Sequence, residues 1–398
     1  MKILFISPWF PYPSVNGSKI RISHLLRAIA EHHEVRLISF VREGELVDPT
    51  ILEQSHILWE TVPLQEFAPN RLKALLGFFS NLPRSILVTY SKGMAASIRE
   101  QMGEFHPDLA IFSELGTAIY RPDIPICCIL DEIQISVGYD AWRKEGNFFR
   151  KWRSWLTWVK NVSYIRRVLP GFSACTFASE IEQQHIKEIL PDYSKISVIP
   201  NGVDIEYHHP GLVEAIPYTL VYNGSLTYSA NFDAVEFFLA RIMPNIIEQF
   251  PQTRLYVTGS TQGVNISGLQ SRDHLELTGY LNDIRPTVAS AWACVVPLRI
   301  GGGTRLKILE AMALGTPVIA TSKGIEGLDV TPEQDCLIAS DPDTFADQVI
   351  RLLQDPVLRK RLVSNGRKLV EQKYSWLSIG KEFENLISQV TEGCRHEA

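Results

Sequence analysis

A chain of 398 residues, 45% hydrophobic and 21% charged, exceeds the length of roughly 250–300 residues at which a single core stops growing, so two domains are expected. Gly 25 and Pro 23 exclude collagen-like and low-complexity classes, and a net charge of −5 excludes a general polyanion binder, so no nucleic-acid partner is expected.

The sequence opens on MKILFISP, whose single Lys and short apolar run stopped by Pro8 lack the layout of a signal peptide. A loop rich in Pro and Gly leads to Gly17-Ser18, then to a helix with the stripe Ile22, Leu25, Leu26 and Ile29. Apolar runs at 35–40, 109–112, 124–130 and 173–177 alternate with helical patterns. Continuous apolar strands separated by helices predict a buried parallel sheet. Residues 200–218, with His208-His209 and several Pro and Gly, read as a linker. A second opening follows at 218–222, with Asn223-Gly224-Ser225 and a helix through 234–242. Strands are predicted near 254–257, 274–277, 293–297, 317–320 and 336–338, helices from 344 onward, and a last amphipathic helix over 376–390. The predicted class is α/β: two doubly wound, Rossmann-like parallel-sheet domains, 1–205 and 206–375, with a cleft between them and the helix 376–398 rejoining the first.

The cysteines, at 127, 128, 175, 294, 336 and 394, show no CxxC and no metal-ligand spacing, which favours buried free thiols over disulfides. No stretch reaches the ~18 apolar residues of a membrane-spanning helix. A cytoplasmic protein is expected, or one peripheral on the inner face of a membrane.

The strongest chemical signal is 297–312, PLRIGGGTRLKILEAM. A strand ends, Gly301, Gly302 and Gly303 turn the chain, and a helix begins with Thr304 at its N-cap. Glycines before a helix let backbone amides converge on an anion, which the helix dipole also favours. Arg305 and Lys307 would sit in the first turn, where cations oppose the dipole at roughly 0.3–1 kcal/mol each. An anion of two charges, such as a diphosphate, reconciles them. The structural alternative is a tight turn with Lys307 bridging Glu310.

This segment, with 198–204, VIPNGVD, resembles retaining GT-B glycosyltransferases of the large family 4. The 8–21 loop, His106-Pro107-Asp108 and Gly324-Ile325-Glu326-Gly327-Leu328 extend the resemblance through most of the chain, and it is closest to bacterial exopolysaccharide sugar transferases. It implies a hexosyltransferase that moves a sugar with retention from a nucleoside diphosphate sugar, UDP-linked, to a saccharide or lipid-linked hydroxyl. Glu310 matches the glutamate that binds the ribose, and Gly17 the loop glycine near the donor phosphate. Gly224, Ser225, Gly301, Gly302, Gly303, Thr304, Arg305 and Lys307 would hold the diphosphate, and Tyr280 would neighbour the base. The family's second glutamate is Gly302 here, and the usual Arg and Lys after the first strand of the second domain are absent; Arg305 and Lys307 would replace that charge. No metal and no cofactor are expected.

On the acceptor side, Asp131 at the end of the strand 126–130 is the candidate for orienting the acceptor hydroxyl, with loop charge or capping as the alternative. The stretch 143–167 interleaves Arg143, Lys144, Arg150, Lys151, Arg153, Lys160, Arg166 and Arg167 with Trp152, Trp155 and Trp158. It suits an anionic membrane surface or an ordinary amphipathic helix. Asp341-Pro342-Asp343 imitates a metal-binding DxD, although its place before a helix favours capping. Two other classes are weighed: a GT-B protein that binds a nucleotide sugar without transferring it, which Gly302 makes conceivable, and an NAD-dependent oxidoreductase, disfavoured because no GxGxxG follows Ile6 or Val221.

Overall fold

A computed structural model describes residues 1–64, 80–144, 146–270, 273–301 and 303–397. The chain divides into two compact units, Met1–Pro200 with Ile379–Ala398, and Asn201–Ser378.

In the first unit, β1 (Lys2–Ser7), β2 (Glu34–Arg42), β3 (Leu58–Leu64), β4 (Leu109–Ser113), β5 (Cys127–Asp131), β6 (Ala174–Phe177) and β7 (Ile196–Val198) form a parallel sheet. Their order is β3-β2-β1-β4-β5-β6-β7. Ile3, Leu4, Phe5 and Ile6 are all fully buried. Burial on both faces explains an uninterrupted apolar run where an alternating one would mark a half-exposed strand. Strand β3 lies at the sheet edge with Leu58 60% exposed, so it lacks that signature and was not predicted.

Helix α1 (Gly17–Ala30) is capped by the Asn16 side chain, which accepts from the Lys19 N–H. It buries Ile22, Leu25, Leu26 and Ile29. Helices α2 (Ser136–Lys144), α3 (Phe148–Val168) and α4 (Glu180–Ile189) follow β5 and β6.

In the second unit, β8 (Ile216–Asn223), β9 (Arg254–Thr258), β10 (Leu275–Gly279), β11 (Ala291–Val296), β12 (Val318–Ala320) and β13 (Leu337–Ile338) pair in parallel in the order β10-β9-β8-β11-β12-β13. Helices α5 (Ser229–Phe237) and α6 (Leu306–Ala313) follow β8 and β11, and α7 (Pro342–Gln354) and α8 (Pro356–Lys373) close the unit. Asp341 caps α7 by accepting from the Thr344 N–H at 3.0 Å, so the DxD-like string is a helix start.

Helix α9 (Trp376–Glu397) begins in the second unit, and from Ile379 onward it belongs to the first. It lies so close to α1 that a Cβ on Gly380 would come within 2.8 Å of Ala28. This return also corrects the cysteine expectation. Cys394 reaches Cys127 at the start of β5 and the two form a disulfide across a sequence separation of 267. Cys128, Cys175, Cys294 and Cys336 are free and buried.

Candidate functional site

Both sheets reverse their winding direction once, between β1 and β4 and between β8 and β11. In open α/β sheets ligands bind beyond the carboxyl ends of the strands at such switch points. In the second unit, Gly224 and Ser225 follow β8 and the 297–305 loop follows β11, so sheet topology alone brings these segments together.

Lys307 lies at the centre of this arrangement. Its Nζ donates to the Tyr222 hydroxyl and to Asn231 Oδ1, each at 2.9 Å, and sits 4.0 Å from the Tyr222 ring centroid. Tyr222 in turn donates to Asn231 Oδ1 at 2.7 Å, and Asn231 Nδ2 to the Ser225 carbonyl at 2.8 Å. Gly224 makes room for the ammonium: a Cβ there would lie 2.6 Å from Lys307 Nζ. Burial, with the nearby Arg305 charge, pushes the Lys307 pKa down to about 7 against the opposing influence of Cys294 and Glu310, and its hydrogen-bond partners are neutral oxygens.

Glu310, one turn further along α6, accepts from Asn223 Nδ2 at 3.0 Å. Burial raises its pKa against the opposing influence of His208, Lys307 and Asn223. Lys307 and Glu310 thus turn to different neighbours, and the turn-plus-bridge reading of this segment is not what the fold adopts.

The start of α6 differs from the expected one. The helix begins at Leu306 with Arg305 in the cap position, so Thr304 is not the N-cap. Instead the Thr304 hydroxyl accepts from Asn201 Nδ2 at 3.4 Å, joining the two strings on which the resemblance rests. Arg305 is only 7% exposed; it folds back to donate to the Gly301 carbonyl at 2.8 Å, and burial lowers its pKa. Gly301 and Gly303 adopt φ of 104° and 80°, which glycine alone takes readily. Gly302 lies outside the described residues. Ser225 Oγ donates to the Ser260 carbonyl at 3.0 Å, and Gly259 lets that backbone approach, since a Cβ on it would meet Ser225 N at 2.6 Å. Tyr280 is 72% exposed beyond β10, with β9 between that strand and β8.

In the first unit Gly17 is the first residue of α1. The cations of that turn have carboxylate partners: Lys19 pairs with Glu45 at 2.7 Å and Arg21 with Asp131 at 2.7 Å. This overturns the expectation for Asp131. Its side chain is 0% exposed, accepts twice from Arg21 (2.7 and 3.0 Å) and accepts from Thr176 Oγ1 at 2.6 Å. Arg21 also donates to the carbonyls of Ile199 and Pro200. Asp131 therefore fixes a buried arginine that ties the chain leaving β7 to the end of β5, and has no surface to offer an acceptor.

Helix α3 carries an exposed stripe of Phe148 (77%), Phe149 (78%), Trp152, Trp155 and Val159, beside exposed Arg150, Lys151 and Arg153. Trp158 departs from it, packing against Tyr139 with centroids 5.3 Å apart. Among the described residues no helix is long and apolar enough to cross a membrane.

Reading by residue type missed Tyr222, Asn223, Asn231 and Gly259. Only Asn223 bore a signal, standing beside Gly224-Ser225 at a strand end; the others depend on contacts between elements.

Residues 217–355 match the family model described as glycosyl transferases group 1. The GDP-mannose-dependent monoacylated alpha-(1-6)-phosphatidylinositol monomannoside mannosyltransferase of Corynebacterium glutamicum is 25% identical over 248 residues, 56% of this chain and 64% of that protein. The match thus spans less than two thirds of the relative's length. Sucrose-phosphate synthase from Thermosynechococcus elongatus superposes with a TM-score of 0.73 at 19% identity, over 99% of this chain and 100% of that one. Anabaena HepE in complex with UDP-glucose does so with a TM-score of 0.63 at 17% identity, over 98% and 100%. The chain has the two-domain, parallel-sheet fold of GT-B glycosyltransferases, and its residues 217–355 are similar to the family described as glycosyl transferases group 1.

Proposed function

We propose that the protein is a retaining, family 4 hexosyltransferase that moves a sugar from a nucleoside diphosphate sugar, UDP-linked, to a hydroxyl of a saccharide or lipid-linked acceptor in bacterial polysaccharide or glycan assembly. The observation that carries this reading is Lys307: a partly buried ammonium at the switch point of the second sheet, hydrogen-bonded to the neutral oxygens of Tyr222 and Asn231, would be completed by an anionic ligand. Gly224, Ser225, Gly301, Gly303, Thr304 and the N-terminus of α6 would surround the diphosphate of the donor. As the bond from the anomeric carbon to the diphosphate breaks, charge builds on the departing oxygens. Stabilising that charge is the largest catalytic contribution such a site offers, and Lys307 and Arg305 supply it in place of a metal. Glu310, held by Asn223, accepts from the ribose hydroxyls, and Tyr280 neighbours the base.

A lipid-linked acceptor gives α3 a role. Its aromatic stripe would enter the interface of an anionic leaflet on the inner face of the membrane, each flanking cation adding about 1 kcal/mol.

Release of UDP or GDP from the corresponding nucleotide sugars tests the reading and separates an enzyme from a mere binder. Glu310→Ala and Arg305→Ala should each lower turnover by about 10²-fold. Unchanged turnover in either variant would remove that residue from the assignment, and nucleotide binding without turnover by the wild type would leave a binding protein.

A further inference from the structure

The end of the first sheet holds a carboxylate that the reading above leaves unused. Glu114 follows β4, beside the switch point between β1 and β4. Its backbone lies at φ 64° and ψ 152°, a conformation that residues with a Cβ avoid. Hydrogen bonds hold it there from both sides. The Glu114 N–H donates to the Asp131 carbonyl at 2.8 Å, and the Glu114 carbonyl accepts from Thr117 N at 3.1 Å and Thr117 Oγ1 at 2.9 Å.

The side chain is aimed with equal care. Trp9 Nε1 donates to Glu114 Oε1 at 2.9 Å, and the Ser18 side chain favours the ionised form of the same carboxylate. Trp9 follows β1 and Ser18 stands in the first turn of α1, so the connection after β1 meets the carboxylate that follows β4 across the switch point. Neither neighbour carries a charge. Asp131, on the next strand, is by contrast matched to Arg21 and fully enclosed. Two acids at adjacent strand ends thus have opposite surroundings: one is locked to a guanidinium, the other is partly exposed and keeps lone pairs for a further donor. Burial and the nearby Asp131 charge push the Glu114 carboxyl up. The strained backbone and the Trp9 indole N–H together fix where the carboxylate points, and strain of this kind clusters at functional sites.

We propose that Glu114, oriented by Trp9, is a saccharide-binding residue that accepts a hydrogen bond from a sugar hydroxyl at the carboxyl end of the first sheet. Glu114 would thereby select the acceptor, an assignment that rests on the glycosyl-transfer reading for its biological sense and on the first unit alone for its geometry.

Saturation-transfer NMR of the full chain with D-glucose and D-mannose tests it, alongside thermal shifts with UDP and GDP. Glu114→Gln, which keeps the shape, should weaken sugar binding about tenfold or more and leave the nucleotide shift intact. Glu114→Gly is the second arm. Glycine adopts this backbone freely, so its melting temperature should stay level or rise while sugar binding is lost. A purely structural Glu114 would instead lose stability in both variants. Sugar binding by the wild type that both variants retain, or no sugar binding by the wild type, overturns the assignment. Absence of any nucleotide shift in the wild type would count against the proposed transfer, and is read separately.

Discussion

Replacing Lys307 with Met should make the ligand-free protein more stable. Methionine has nearly the volume of the lysine stem and carries no charge to bury. It leaves the neighbouring hydrogen bonds in place, since Tyr222 still donates to Asn231 Oδ1 at 2.7 Å and Asn231 to the Ser225 carbonyl at 2.8 Å, and the loss of the cation near Glu310 takes back part of the gain. The size of the gain follows from the ammonium itself. An unfolded lysine titrates near 10.5 and the buried one at about 7, so between these values the unfolded chain binds the proton more tightly. Wild-type stability therefore rises with pH through that window and is lost as pH falls toward 7. Each pH unit is about 1.4 kcal/mol, so the buried charge costs about 5 kcal/mol near neutrality. Urea titrations of wild type and Lys307→Met at pH 6.5, 7.5, 8.5 and 9.5 measure the difference directly. It should shrink by about 1.4 kcal/mol per pH unit above pH 7.5. UDP should reverse the ranking: its diphosphate matches the ammonium, so wild type takes up a proton on binding UDP near pH 8 and the variant loses at least about 2 kcal/mol of affinity. A stability difference independent of pH would refute the argument that Lys307 is held as a costly charge awaiting an anion.

The remaining expectations concern the first unit. Asp131→Ala removes the bidentate partner of the fully buried Arg21, leaving it Glu132 at 4.0 Å, and should cost about 3 kcal/mol of stability, measured by urea unfolding. A cost below 1 kcal/mol would mean that Arg21 finds another partner. For α3, the wild type should sediment with phosphatidylglycerol vesicles at low salt and be released by 0.5 M NaCl (roughly a 4 Å screening length), while the double variant Phe149→Asp, Trp152→Asp should stay in solution. Equal sedimentation with neutral vesicles would show that the cations contribute nothing.

Strands buried on both faces were legible because burial of that kind demands unbroken apolar runs, as in β1 and β8. Strand β3 was not, since an edge strand with Leu58 and Trp59 in solvent needs no such run. Within the site, the conflict of Lys307 with the helix dipole could be noticed from local sequence, and the glycines beside it marked a turn. What no local pattern could supply was the company each residue keeps. Asp131 meets Arg21 across 110 positions, and Lys307 meets Tyr222 across 85. Glu114 carries no motif, and its strain arises only from hydrogen bonds to Asp131 and Thr117. The Cys127–Cys394 disulfide likewise exists because α9 returns to the first unit, which spacing cannot reveal.

That return sets an order of events during synthesis. Residues 201–378 leave the ribosome before 379–397, so the second unit has its full complement of strands while the first still lacks the helix that lies against Ala28 of α1. Domains fold as units as they emerge. The amino-terminal unit should accordingly be the last to reach its native state, exposing part of α1 to chaperones until α9 docks. A chain truncated after residue 378 and released from the ribosome would then hold a protease-resistant second unit and a first unit that is still cut, and the disulfide would record the moment at which the older half of the protein is finally closed.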